Sequence, residues 1–342
     1  MELLIHFLWL IGGLALLYYG AEWLVKGAAE LALRLGISPL VVGLTVVAFG
    51  TSMPELLVCL KANSPEVIAT PASWVGFHID VGEASPDIAV GNIVGSNIFN
   101  IALILGVAAL IRPIVIHSQL VKRELPILIV SSGVFLWMMR DMTLSRMEGG
   151  ILTAGVIIYV ASSLIQSKKA NFTQEFEEFS EEEIAQAKKG GMRVVLDFFL
   201  ITIGIVALVL GAEWLVNHGE AIAVAFGVPE VIISLTLFAL GTSLPELATS
   251  IVASLKKQGD IITGNAVGSC IFNLLAVMGV TAGVRPLAAE QVSWLDLGVM
   301  FALAALIMPF MWSKMRLSKL EGAILLVVAI GYAGMVIGMG RG

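Results

Sequence analysis

Two carboxylates stand in apolar surroundings that disfavour them. Glu55 closes the stretch GTSMPE, Gly50 to Glu55, and Glu246 closes GTSLPE, Gly241 to Glu246, each inside a long apolar run. A carboxylate at the centre of a membrane span costs at least about 2.5–3.5 kcal/mol on insertion scales. Two that face each other cost more unless a cation or a proton lies between them. Thr51 precedes Glu55 by four residues and Thr242 precedes Glu246 by four, so each hydroxyl shares a helical face with its acid. Ser52 and Ser243 add a second hydroxyl to each stretch. Pro54 has no N–H to offer the carbonyl of Gly50, nor Pro245 that of Gly241, so each helix opens there and frees carbonyl oxygens. In hydrocarbon such oxygens are tolerated only when buried in protein or lining a wet cavity, where an ion can satisfy them. The plainer alternative is a pair of protonated glutamates capping two helix kinks.

A second stretch supplies more oxygen. GNIVGSNIFN, Gly91 to Asn100, recurs as GNAVGSCIFN, Gly264 to Asn273. At four-residue spacing Asn92, Ser96 and Asn100 form one polar stripe, and Asn265, Ser269 and Asn273 form its counterpart. Simple hydrogen bonding between helices is the competing reading of these stripes. Gly91 and Gly95, like Gly264 and Gly268, read as points of close helix approach. Cys270 is the only sulfur in either stretch, and no histidine repeats. Oxygens with two carboxylates suit hard cations such as Ca²⁺, Na⁺ or Mg²⁺ rather than Zn²⁺ or Cu⁺. Cys59 and Cys270 have no metal-ligand spacing and are expected as buried thiols, not as a disulfide.

The elements that must position these groups are membrane helices. The 342 residues are 58% hydrophobic and 13% charged, with a mean hydropathy of +0.95; soluble domains carry about a quarter charged residues. Windows of roughly 20 apolar residues give ten spans, near 3–25, 38–60, 88–111, 125–139, 149–166, 194–216, 229–253, 262–284, 295–311 and 320–339. The start, MELLIHFLWL, has no basic leader region, which predicts a first span that stays in the membrane.

Gly20 onward, GAEWLVKGAAEL, returns at Gly211 as GAEWLVNHGEAI, an offset of 191 that also relates the two glutamate stretches. From Gly91 the offset is 173: Arg112-Pro113 answers Arg285-Pro286, and LSRMEGGIL from Leu144 answers LSKLEGAIL from Leu317. The difference places an insertion of 18 residues between Glu55 and Gly91. The expected organisation is a first repeat over 1–167, an acidic linker over 168–193 and a second repeat over 194–342. Five spans per repeat is odd, so the second copy enters the membrane the other way up. The predicted fold is therefore an all-α polytopic membrane protein whose ten transmembrane helices form two inverted-topology repeats of five, an arrangement that places substrate sites near the bilayer midplane.

With Lys26 set aside as part of the first span, fourteen Lys and Arg residues fall in the loops after spans 1, 3, 5, 7 and 9, against five in the other loops and the C-terminus. By the positive-inside rule the N-terminus faces out and the 168–193 loop is cytoplasmic. The outer loop between Lys61 and Val90 carries Asp80, Glu83 and Asp87 beside His78 and reads as a surface loop. The linker, rich in glutamate with Phe172, Phe176 and Phe179 at helical spacing, reads as a short amphipathic helix on the membrane. Glu22 and Glu213 occupy equivalent positions, and Glu22 is expected to pair with Lys26 on its own helix.

The glutamate and Asn/Ser stretches, present in both halves and in the same order, resemble those of the prokaryotic sodium/calcium exchangers in the calcium/cation antiporter superfamily. The resemblance covers nearly the whole chain. It implies that Glu55 and Glu246 are shared central ligands, with Thr51 and Thr242 giving carbonyl or hydroxyl oxygens beside Ser52 and Ser243. It further implies that Ser96 and Ser269 line flanking sodium sites with the carbonyls of Ala48 and Ala239, that Asn100 and Asn273 face the centre, and that spans 1 and 6 slide across the other eight. Some sodium-coupled members carry an acid at one of the positions of Asn100 and Asn273, where this chain has two amides, and Cys270 stands at the counterpart of Asn97.

The implied function is antiport of Ca²⁺ against Na⁺ by alternating access, in a prokaryotic inner membrane. Exchange of Ca²⁺, or another divalent ion such as Mg²⁺, against H⁺ is the alternative, because the two glutamates would titrate as an interacting pair. A cation channel is a more distant one. The expected partners are the two ions and the lipid bilayer, with no cofactor, nucleic acid or obligatory protein partner. No nucleophile with a paired base is present, so an enzyme is not expected.

Overall fold

The computed structural model describes residues 2–64, 85–167, 193–226 and 241–338. The expectations for His78, for the linker helix and for Ala239 lie outside them. Helix α1 (Glu2–Leu35) is followed by a broken element: α2 (Pro39–Val42), a π-helical turn over Gly43–Val47, α3 (Ala48–Thr51) and, across Ser52, α4 (Met53–Asn63). Next come α5 (Pro86–Phe99), a π turn over Asn100–Ile104, α6 (Leu105–Ile111), β1 (Ile114–Val115), a π turn over Leu120–Glu124, α7 (Leu125–Met138), β2 (Thr143–Leu144) and α8 (Arg146–Ser167). The second half has α9 (Arg193–Ala225), α10 (Leu244–Leu255), α11 (Gly259–Phe272), a π turn over Asn273–Val277, α12 (Met278–Val284), β3 (Leu287–Ala288), α13 (Trp294–Lys314), β4 (Arg316–Leu317) and α14 (Lys319–Gly338).

Among the described residues seven helices are long and apolar enough to cross a membrane, and eight if the pair bent at Ser52 counts as one span. The chain is an integral membrane protein. Of the other two expected spans, 125–139 forms a helix from Leu120 to Met138, and 229–253 is described only from Gly241, including α10.

The first span outruns its expected end at residue 25, because α1 continues to Leu35. Its last turns carry charge that is neutralised inside the protein. Arg34 donates to Glu30 at 2.8 Å and to the buried Asp197 on α9 at 2.5 Å. Helix α9 likewise runs to Ala225 rather than ending near 216. The two long helices lie antiparallel with glycines in the seam: a Cβ on Gly20 would stand 2.9 Å from the carbonyl of Gly204, and one on Gly211 would stand 2.8 Å from that of Gly13. In lipid, where burial of apolar side chains gives no drive for association, such backbone proximity is the main source of helix attraction. Glu22 does not pair with Lys26; its partner is Lys256, just past α10, at 3.1 Å.

The recurring LSxxEG stretches turn out to be helix starts. Ser145 and Glu148 exchange hydrogen bonds at the head of α8, and Ser318 and Glu321 do the same at the head of α14. These reciprocal caps satisfy amide groups that lipid would leave orphaned. The short strands pair across the halves, β1 with β4 and β2 with β3. Cys59 and Cys270 are buried free thiols.

Candidate functional site

Pro54 and Pro245 each stand two residues after a serine, at the second position of a helix, and both glutamates come out in its first turn. Ser52 is the residue before α4, with Glu55 in its first turn, and Ser243 precedes α10, with Glu246 in its first turn. The pieces on either side of Ser52 meet at 41°. An acid in the first turn faces the positive end of a helix dipole, which favours negative charge there.

Close backbone approach brings the two halves onto these breaks. A Cβ on Gly264 of α11 would stand 3.0 Å from the Cα of Gly43, and one on Gly268 would stand 2.8 Å from the Cβ of Ala48. The close approach expected at Gly264 and Gly268 is therefore present. No described residue lies within 4 Å of a Cβ on Gly91 or Gly95, but the segment equivalent to Leu40–Ala48 is 231–239, outside the described residues. Across the first contact Thr51 donates to Asn265 Oδ1 at 3.0 Å and stands 3.4 Å from the Ser269 hydroxyl. The counterpart hydrogen bond runs from Thr242 to Asn92 Oδ1 at 3.2 Å.

Ser96 is the hub of the other residues. Its hydroxyl donates to Glu55 Oε1 at 3.1 Å and receives the amide groups of Asn273 at 3.2 Å and Asn100 at 3.4 Å, with the Ser243 hydroxyl 3.3 Å away. Asn100 and Asn273 each open a π turn, a departure from α geometry found often at functional positions. Glu246 is faced by Thr51 and Ser269 from the other half of the cluster. Of the sequence-derived candidates, Glu55, Glu246, Thr51, Ser52, Ser96, Ser243, Ser269, Asn100, Asn273 and Ala48 are all buried, and Thr242 is half-buried.

Among the described residues much of the cluster's hydrogen-bonding capacity is unspent, including the amide nitrogen of Asn265. Glu55 Oε2, both carboxyl oxygens of Glu246, Asn100 Oδ1, Asn273 Oδ1 and Ser52 Oγ are buried without a hydrogen-bond partner among the described residues. Each such group costs about 1–3 kcal/mol if left unsatisfied. Five of these six are carboxylate or amide carbonyl oxygens, the ligand type that hard cations such as Ca²⁺ take. Two hydroxyls missed by the sequence reasoning, Thr249 and Ser250 on α10, are also buried and unpartnered one turn beyond Glu246. Their counterparts in the first half are Val58 and Cys59, so a search for repeated residues passes over them.

The chain matches the sodium/calcium exchanger protein family over residues 5–165 and 196–338. It belongs to that family. A relative in Alkalimonas amylolytica named as putative antiporter CaxA is 35% identical, with 96% of this chain and 98% of that one aligned. The inner membrane protein YrbG of Escherichia coli K12 is 34% identical over 89% of this chain and 88% of its own length. Among solved structures, the exchanger NCX_Mj soaked with Na⁺ and Ca²⁺ superposes with a TM-score of 0.77 at 28% identity, covering 96% of this chain and 98% of that one. As a member of the exchanger family the protein is a membrane antiporter for cations.

Proposed function

We propose that the protein exchanges Ca²⁺ for Na⁺ by alternating access at the Glu55/Glu246 cluster, near the midplane of a prokaryotic inner membrane. The observation that carries this reading is the set of buried carboxylate and amide oxygens of Glu55, Glu246, Asn100 and Asn273 that have no hydrogen-bond partner among the described residues, a defect in an apolar protein that a hard cation removes. Ca²⁺ and Na⁺ compete for the same carboxylates, so occupancy by one excludes the other. That exclusion couples the two fluxes. Ala239, the one site candidate outside the described residues, is assigned to a flanking sodium position with Ala48, Ser96 and Ser269 only through the family resemblance.

The site is built by two inverted repeats of five spans, 1–167 and 194–342, joined by the 168–193 linker. Reciprocal contacts support this: Thr51 with Asn265 answers Thr242 with Asn92, and Asn63 donating to the Thr281 carbonyl answers Ser254 donating to that of Ala108. Each pair is carried onto the other by the offsets of 191 and 173. The glycine-seamed pair α1 and α9 is the natural moving body, sliding across the remaining helices.

A second reading, exchange of Ca²⁺ against H⁺, is favoured by one observation: Asn100 and Asn273 are amides, so only the two glutamates balance bound charge. Uptake of ⁴⁵Ca²⁺ into proteoliposomes loaded with Na⁺, repeated with choline inside and an imposed pH gradient, separates the two. Sodium exchange predicts uptake that requires the outward Na⁺ gradient. Uptake that follows the pH gradient and ignores Na⁺ defeats sodium coupling and makes the carboxylate pair a proton site.

A further inference from the structure

Asn97 follows Ser96 on α5 and lies off the oxygen-bearing stripe. Its counterpart at the offset of 173 is Cys270 on α11, and the two counterparts touch each other. Asn97 Nδ2 donates to the backbone carbonyl of Cys270 at 3.3 Å, with its other side toward the Met300 sulfur at 3.8 Å, and the Cys270 thiol stands 3.7 Å from the Asn97 carbonyl. A backbone carbonyl only accepts hydrogen bonds, so it holds the NH₂ end of the Asn97 side chain and turns Oδ1 the other way. That oxygen accepts from Asn273 Nδ2 at 3.0 Å. The same Nδ2 also donates to Ser96, whose hydroxyl is committed to Glu55. With both amide hydrogens used, Asn273 leaves its Oδ1 buried and unpartnered. Among the described residues Asn100 Nδ2 has only the 3.4 Å contact to Ser96, and the position that would mirror Asn97 for it carries the thiol of Cys270.

We propose that Asn97 is a positioning residue: it fixes the Asn273 amide so that the carbonyl oxygen, not the NH₂ group, faces the transported cation. The inference rests on the cation-site reading above. A carboxylate at position 273 would present oxygen whichever way it turned, whereas an amide presents oxygen in one orientation and N–H donors in the other. Beside Glu55 and Glu246 the NH₂ end is the one that the carboxylates attract, so an untethered Asn273 turns its donors into the site in place of the cation. Asn97 prevents this from outside the ligand set, through a chain that starts at a backbone atom unable to reverse its role.

The test is a cycle of four full-length proteins: wild type, Asn97→Leu, Asn273→Asp and the double variant. Ca²⁺ affinity is measured by titration calorimetry, with the KM and maximal rate of ⁴⁵Ca²⁺ uptake measured alongside. In the native background Asn97→Leu is expected to weaken Ca²⁺ binding on the order of 10–100-fold, the scale of removing a group that orients a metal ligand. In the Asn273→Asp background the same substitution is expected to change affinity by less than about twofold, since the two effects are coupled through one contact. An equal loss in both backgrounds, or no loss in the native one, overturns the assignment while Ca²⁺ uptake by the wild type still stands. If the wild type neither binds nor transports Ca²⁺, the antiport reading fails and the assignment with it. Asn97→Ala, which only removes atoms, is read in the same way if Asn97→Leu does not fold.

Discussion

Glu55 and Glu246 are identical in type and in sequence surroundings but not in what holds them. Among the described residues Glu55 has one oxygen bonded to Ser96 and one without a partner, whereas neither oxygen of Glu246 has one. Changing either to Gln keeps the volume but replaces an acceptor oxygen with an NH₂ group, which a cation repels. We expect Glu55→Gln and Glu246→Gln each to reduce Na⁺-dependent ⁴⁵Ca²⁺ uptake to background while leaving a monodisperse protein in gel filtration. Uptake at half the wild-type rate or more in either variant would remove that glutamate from the site. These two acids, with Thr51, Thr242, Ser96, Ser269, Asn100 and Asn273, were legible in the sequence as candidates because their chemistry is out of place in lipid and occurs twice. The positioning role proposed for Asn97 was not legible. That residue stands off the four-residue stripe, and its partner is its own counterpart in the other half, a relation that exists only once the two helices cross. The Lys256 partner of Glu22 was hidden for a similar reason, since a pairing rule for one helix cannot see a neighbouring one.

At the scale of elements, hydropathy located the helices but not their lengths. It ended α1 ten residues early because Lys26, Glu30 and Arg34 read as a departure from the membrane, whereas Arg34 is neutralised by Asp197 within the protein. Removing one partner leaves a buried charge alone, so Arg34→Met is expected to cost about 3–5 kcal/mol, and the double variant Arg34→Met/Asp197→Leu much less. Thermal unfolding in detergent measures both, and a double variant as unstable as the single one would exclude charge burial as the cause. The seam between α1 and α9 gives a sharper contrast. A Cβ on Gly20 meets backbone atoms of Gly204 and Leu208 at 2.9 Å, and backbone cannot step aside, whereas one on Gly12 meets only the Trp214 ring at 3.4 Å. Gly20→Val is therefore expected to destabilise by about 1–3 kcal/mol or more, and Gly12→Ala to be nearly neutral. The same unfolding measurement reports both, and equal shifts would mean that the seam is not close-packed.

For the whole molecule, the two strand pairs constrain how the chain is threaded. β1 pairs with β4 and β2 with β3, and paired strands must lie on one side of the membrane. In the ten-span arrangement six spans separate β1 from β4 and four separate β2 from β3. Both numbers are even, as pairing requires, and they remain so only if the chain crosses an odd number of times between α9 and α11. One span, containing α7, separates β1 from β2, which places the two strand pairs on opposite sides. Around β1 and β4 lie Arg112, Lys122, Arg123, Lys314, Arg316 and Lys319, against Arg140, Arg146 and Arg285 around β2 and β3, and the positive-inside rule predicts that the β1–β4 side faces the cytoplasm. The native cysteines are buried, and single cysteines at exposed positions in the strands read the threading directly. In intact cells a membrane-impermeant maleimide is expected to label Thr143→Cys, and to label Val115→Cys only after the membrane is opened. The reverse pattern would turn the molecule over while keeping its threading. Labelling of both from one side would break the single crossing between β1 and β2, and with it the odd-numbered repeat on which the proposed inverted site depends.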